Sequence, residues 1–265
     1  MSAPALVLVS GTGHDPRVAQ VVHSLRTGVA ALRPTMEVHA AFHGNPPTCV
    51  QVIDHLAAQG DKEIVFVPLE LNSAIQIPAA LDNVLRRSRS QYPDLRCTAA
   101  RPVGPEVSLL NVLDTRLRAA LSHARCLELD GLVLSSPASG DVRGSSLLAR
   151  RARQWATHHR LPCVTAVTDE SGPSVAQAIL NLRSQGRRHI AVGSFFLAPD
   201  EDYLAQAEQA YHYGAVSVSE PIGAAREVVD VILARYAFAA MELLDFDFGE
   251  PDAAADADEM IAVTA

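Results

Sequence analysis

Apolar residues in this chain come in short unbroken runs. Each run is followed by a stretch in which they recur every third or fourth position. The first run is Leu6-Val7-Leu8-Val9. It passes into Ser10-Gly11-Thr12-Gly13-His14-Asp15-Pro16-Arg17, after which Val18, Val21, Val22, Leu25 and Val29 share one face of a helix reaching Leu32. This pattern predicts a buried strand, a glycine turn and a helix start. Further strands are predicted at Glu37–Phe42, at Glu63–Leu69 and around Cys97–Ala100. Asn45-Pro46-Pro47-Thr48 opens a helix that Gly60 ends, Ile77-Pro78 opens one through Arg89, and Pro102-Val103-Gly104-Pro105 precedes one through Leu121. Near-continuous apolar strands are buried on both faces, as in a parallel sheet covered by helices.

The second half repeats this order. Gly131-Leu132-Val133-Leu134-Ser135 matches the first strand, and Asp141-Val142-Arg143 matches Asp15-Pro16-Arg17 at an offset of 126 residues. The same offset pairs Val38 with Val164, Pro47 with Pro173, Gln51 with Gln177, Ile53 with Ile179, Gly60 with Gly186, Ile64 with Ile190 and Leu71 with Leu197. It also sets Asp169 opposite His43. Glu220-Pro221-Ile222-Gly223 answers Arg101-Pro102-Val103-Gly104 at an offset of 119, so residues are missing between the third and fourth strands of the second half.

The expected fold class is α/β. Two homologous halves, residues 1–125 and 126–244, each carry a mainly parallel four-stranded sheet flanked by helices, related by a pseudo-twofold axis. Ligands in such sheets bind at the carboxyl edges of the strands, here in a cleft between the halves. Residues 245–265 read as an acidic flexible tail, with a partner-binding segment as the alternative.

Composition narrows the function. The net charge of −8 and the lack of a basic stripe argue against nucleic acid. Cys49, Cys97, Cys126 and Cys163 have no metal-ligand spacing and suit a reducing compartment. The chain starts with neither a basic segment nor a long apolar run, and no stretch is long enough to span a bilayer. A cytoplasmic protein with no membrane contact and no organic cofactor is expected.

The wording of several motifs resembles the class II tetrapyrrole chelatases, in particular the long sirohydrochlorin chelatases. Their first strand enters a loop of the form His-Gly-Ser-Arg-Asp-Pro, against Gly11-Thr12-Gly13-His14-Asp15-Pro16 here. Val67-Pro68-Leu69-Glu70-Leu71 resembles the end of their third strand, Gln76-Ile77-Pro78-Ala79-Ala80-Leu81 the motif after it, and Val103-Gly104-Pro105-Glu106 the turn after their fourth strand. In the second half Gly193-Ser194-Phe195-Phe196-Leu197-Ala198-Pro199 is similar to their Ala-Ser-Tyr-Leu-Leu-Ala-Pro. The resemblance covers roughly residues 5 to 240. It implies insertion of a divalent metal substrate (Co²⁺, Ni²⁺ or Fe²⁺) into a tetrapyrrole of the sirohaem and cobalamin branch. Two positions depart from the pattern. The family's first metal-binding histidine aligns with Gly11, and the segment that carries its second is missing where Asn72-Ser73-Ala74-Ile75 runs straight into Gln76.

Metal insertion needs a metal held loosely and an acceptor for two pyrrole protons. Imidazole ligates cobalt, nickel and iron and is basic near neutral pH, and a carboxylate assists as ligand or proton acceptor. Three such groups follow the first three strands: His14, His43 and Glu70. They form the expected metal set, with His14 and Glu70 as catalytic groups. A carboxylate-rich tetrapyrrole needs hydroxyl, N–H and guanidinium partners. Ser10, Thr12, Arg17, Ser135 and Arg143 are placed to supply them. Asp169, Asp141, Glu170 and Asp200-Glu201-Asp202 read as solvated loop acids, with a second metal site as the alternative, and the remaining histidines as structural or solvated. Beside the chelatase reading stand a homologue that holds a tetrapyrrole, metal or partner protein without catalysis, and a two-lobed sugar- or ion-binding protein.

Overall fold

The computed structural model describes residues 3–11, 15–138, 140–169 and 171–245. Strands β1 (Ala5–Ser10), β2 (Val38–Phe42), β3 (Glu63–Pro68) and β4 (Arg96–Ala99) form a wholly parallel sheet in the order β2-β1-β3-β4. Strands β5 (Gly131–Ser136), β6 (Cys163–Val167), β7 (Ile190–Ser194) and β8 (Ser217–Val218) form a second in the equivalent order β6-β5-β7-β8. Helices α1 (Pro16–Leu32), α2 (Cys49–Gln59), α3 (Ala79–Gln91) and α4 (Leu109–His123) alternate with the first strands, and α5 (Val142–His159), α6 (Val175–Ser184), α7 (Glu201–His212) and α8 (Arg226–Asp245) with the second. No helix among the described residues is long and apolar enough to cross a membrane.

The repeat is visible in the helix caps. Thr48 and Ser174, 126 positions apart, each accept the backbone N–H of a glutamine (Gln51, Gln177) whose side chain returns to the cap's own N–H. Asp15 and Asp141 cap α1 and α5. The strands keep the offset with one exception. Leu6 pairs with Val65 and Leu132 with Ala191, as it requires. Leu6 also pairs with Val38, but Leu132 pairs with Cys163 rather than Val164. The second half therefore holds one extra residue between β6 and α6, and the counterpart of His43 is Thr168, not Asp169.

Alternation along each strand divides the core. Ala5, Val7 and Val9 face an outer layer made by α2 and α3, while Leu6 and Leu8 face inward. Val133 faces an outer layer containing α6 and α7, while Leu132 and Leu134 face inward. The two inward faces belong to one continuous core with apolar residues of α1, α4, α5 and α8. The last helix of each half is exchanged: α8 packs on β3, β4 and α1, and α4 packs on β7 and β8. Arg235 of α8 donates to the carbonyls of Pro102 (2.9 Å) and Val103 (3.2 Å) and pairs with Glu106. Tyr236 Oη donates to the Pro4 carbonyl at 2.7 Å.

Candidate functional site

The carboxyl ends of β2, β1 and β3 lie side by side, with β1 in the middle. The His43 N–H donates to the Ser10 carbonyl (3.1 Å), and the Leu69 N–H to the Val9 carbonyl (2.8 Å). His43 and Glu70 thus leave the sheet on either side of the carboxyl end of β1. His14 and Thr12, in the loop that joins β1 to α1, lie outside the described residues. Strand spacing sets the backbones of β2 and β3 roughly 9–10 Å apart.

His43 is half-buried, and its Nε2 is buried with no hydrogen-bond partner. Burial lowers its pKa, so the ring is neutral near pH 7 and offers a lone pair. Glu70 is largely buried. Desolvation, helped by the charge of Asp141, pushes its carboxyl up to about 7. It lines a cavity of about 410 Å³ with Asn72, Ser73, Gln76, Pro78, Gly140 and Asp141. This cavity lies between the halves. Asp200 also has a raised pKa, first through burial, while its side chain accepts the Tyr203 N–H as the cap of α7.

Asp141 is not a solvated loop acid. Its Oδ1 caps α5 through the Gly144 N–H, and its Oδ2 accepts the backbone N–H groups of Ala74 (3.0 Å), Ile75 (2.7 Å) and Gln76 (2.7 Å) from the first half. Burial would raise its pKa, but these bonds outweigh burial and hold it at about 2. Asn72 Nδ2 adds a bond to the Ala138 carbonyl at 2.6 Å. A Cβ on Gly140 or Gly144 would run into the Asn72 carbonyl, so both glycines let this loop approach the start of α5. The loop after β3, shortened in sequence, is clamped to the opposite half.

The expected substrate partners are placed as follows. Ser10 and Ser135 are buried at the ends of β1 and β5, and Ser135 Oγ has no hydrogen-bond partner. Arg17 is held by Asp15 in a bidentate pair, with contacts of 2.9 and 2.6 Å, in the field of Asp200 and Glu201 across the cleft. Arg143 is exposed on the first turn of α5. Glu170 lies outside the described residues. The halves are not equivalent. The Leu69 N–H bonds the Val9 carbonyl and the Phe195 N–H bonds that of Ser135, which keeps the 126 offset, so Phe196 stands where the first half has Glu70.

Residues 5–120 match the family model CbiX. A sirohydrochlorin cobaltochelatase of Priestia megaterium is 24% identical over 157 residues, 57% of this chain and 50% of that one. The first half of the chain thus resembles the class II chelatase family. The chain spans about half the length of this curated relative. SirB from Bacillus subtilis with Fe³⁺ superposes with a TM-score of 0.72 at 17% identity, over 92% of this chain and 98% of that one. The sirohydrochlorin chelatase SirB of the subspecies spizizenii, in complex with cobalt, gives 0.73 at 15% identity, over 92% and 97%. A CbiX described as the terminal enzyme for biosynthesis of siroheme in denitrifying bacteria gives 0.60 at 21%, over 89% and 99%. These last three are likenesses of fold. They extend the likeness of fold over both halves, the second of which lies beyond the residues that match the family model.

The clamp by Asp141 was not legible in the sequence. The residue reads there as a helix cap, and the three N–H donors belong to backbone 65 to 67 positions away.

Proposed function

We propose that this protein inserts a divalent metal, Co²⁺, Ni²⁺ or Fe²⁺, into sirohydrochlorin or a related tetrapyrrole in the cytoplasm, in the cleft at the carboxyl edge of the first sheet. The observation that carries this reading is Glu70: a buried carboxyl poised at about 7 in the cavity between the halves. A group with that pKa takes a proton at neutral pH and gives it up again without a large penalty. It accepts one of the two pyrrole protons as the metal leaves it, and His14 accepts the other. Neutral His43 ligates the incoming metal through its unpartnered Nε2, with His14 as the second imidazole from the intervening loop. Glu70 completes the metal set until the ion transfers. Ser10, Thr12, Ser135, Arg17 and Arg143 meet the carboxylates of the macrocycle. Arg17 reaches them by leaving its Asp15 pair.

A second reading is a homologue that binds tetrapyrrole without insertion. It is favoured by Gly11 at the family's histidine position and by the loop 72–76 held shut on Asp141. Mixing the protein with sirohydrochlorin and each metal, and following the absorption spectrum against the uncatalysed rate, separates the two. Acceleration with at least one metal is expected. A spectral shift on mixing with no acceleration by any metal overturns the enzyme reading.

A further inference from the structure

The clearest metal-ligating cluster outside the cleft lies at the far end of α5. Asp114 of α4 and His158 and His159 of α5 bring one carboxylate oxygen and two imidazole nitrogens within 4.8 Å of one another. Neighbouring helix residues ordinarily diverge by about 100°. Here the two rings stand at 87° with their centroids 4.9 Å apart. His159 Nε2 lies 2.6 Å from Asp114 Oδ1, and both side chains are largely shielded, at 19% and 13% exposure. Trp155 packs edge-on against His159 at 5.6 Å. The exposed His158 leaves one side of the cluster open to solvent. Arg118 takes the other oxygen, Asp114 Oδ2, at 2.5 Å, leaving Oδ1 for the imidazoles.

We propose that Asp114, His158 and His159 form a second metal site, for a first-row divalent cation of the Co²⁺, Ni²⁺ or Zn²⁺ type. Two imidazoles and one carboxylate are the donor set such ions take, with further positions left for water. Ligand atoms around a tetrahedral ion at 2.0–2.1 Å stand about 3.3 Å apart. The ion therefore replaces the His159–Asp114 hydrogen bond with a small opening of the pair. The site also lies in the last turn of α5, where the helix dipole favours a cation. The 18 residues of α5 span about 27 Å, so this site is distant from Asp141 and the cleft. An ion here ties α4, the exchanged helix of the first half, to α5 of the second. The proposal does not depend on the chelatase reading.

The test is titration of the full-length protein with Co²⁺ alone at pH 7.5, followed by its visible absorption and by calorimetry. Three further proteins are titrated: His158→Ala/His159→Ala, Asp114→Asn, and the cleft variant His43→Ala/Glu70→Gln. Both helix-end variants should lose one equivalent of Co²⁺. Their affinity there should fall by more than the roughly 10–100-fold that loss of an outer partner costs. The cleft variant should keep that equivalent. Added Co²⁺ should raise the melting temperature of the wild type, and this gain should shrink in Asp114→Asn, which keeps the side-chain shape. Unchanged stoichiometry and affinity in both helix-end variants would overturn the site, whatever becomes of insertion activity.

Discussion

Gln76 and Asp141 belong to different halves of the chain, yet the Gln76 backbone N–H donates to Asp141 Oδ2 at 2.7 Å. With Ile75 and Ala74 on the same oxygen and Gly144 on the other, one carboxylate both caps a helix and closes the cleft at one end. Asp141→Ala should cost about 2–4 kcal/mol, since it removes a cap and leaves several N–H groups to find water. Thermal melting should show a fall of roughly 5–10 °C, and an unchanged midpoint would mean the loop is held by other contacts. Because this pKa is depressed to about 2, the carboxylate's contribution is present above its ordinary value near 3.8 and is lost as pH falls through about 2.

Glu70 has the opposite sign. Its folded-state pKa is raised to about 7 from 4.5, so the folded protein holds this proton more tightly than the unfolded chain. Stability should therefore fall as pH rises from about 4.5 to 7, by up to about 3 kcal/mol from this group. Denaturant unfolding of Glu70→Gln at pH 5 and pH 8 should show that dependence reduced. In the insertion assay the wild type should gain rate on an acid limb with a midpoint near 7. The glutamine variant should be slower by about 10²–10⁴-fold and lack the limb. A retained limb would assign it to another group.

His43 offers a buried, neutral and unpartnered nitrogen. His43→Ala should weaken cobalt binding at the cleft by tenfold or more while leaving the melting temperature of the metal-free protein nearly unchanged. Equal cobalt affinity in the two proteins would remove His43 from the metal set.

Gly144 approaches the Asn72 carbonyl too closely for any side chain. Alanine there should cost roughly 1–3 kcal/mol through overpacking. It should also speed hydrogen exchange at Ala74, Ile75 and Gln76, whose N–H groups bond Asp141. Unaltered exchange at those three amides would show that the loop adapts without releasing its clamp.

The exchanged helices predict that the first half does not stand alone. Without α8, the inner face of β3 and β4 loses its cover by Val228, Ile232 and Tyr236. A chain ending at residue 125 should expose apolar surface, bind a hydrophobic dye and aggregate. A monomeric, cooperatively melting product of that length would contradict the shared core.

Much of the architecture was legible because burial on both faces of a parallel sheet forces near-continuous apolar runs such as Leu6–Val9, and helix caps such as Thr48 and Ser174 carry side-chain signatures. Repetition then doubled each signal. The constant offset also misled at one point. A single extra residue between β6 and α6 moves Thr168 opposite His43 and leaves Asp169 one step further on. Loops tolerate insertions that strand pairing does not, so an offset can be restored at Ser174 after slipping at Cys163.

The candidate site was legible only as single residues at strand ends. His43 and Glu70 could be placed at one edge because strand order and loop position follow from topology. Their chemistry could not, since both pKa shifts come first from burial in the folded chain, and that of Glu70 also from Asp141 of the other half.

Local periodicity and capping, which depend on neighbours within a few positions, were enough to establish the α/β class, the two parallel sheets and the internal duplication. Which helix covers which sheet, that Asp141 grips a loop from the other half, and that Asp114 meets His158 and His159 depended on the three-dimensional packing. The clamp and the helix-end cluster join residues 44 or more positions apart, and nothing in the local pattern records which distant backbone or side chain will fill a given position.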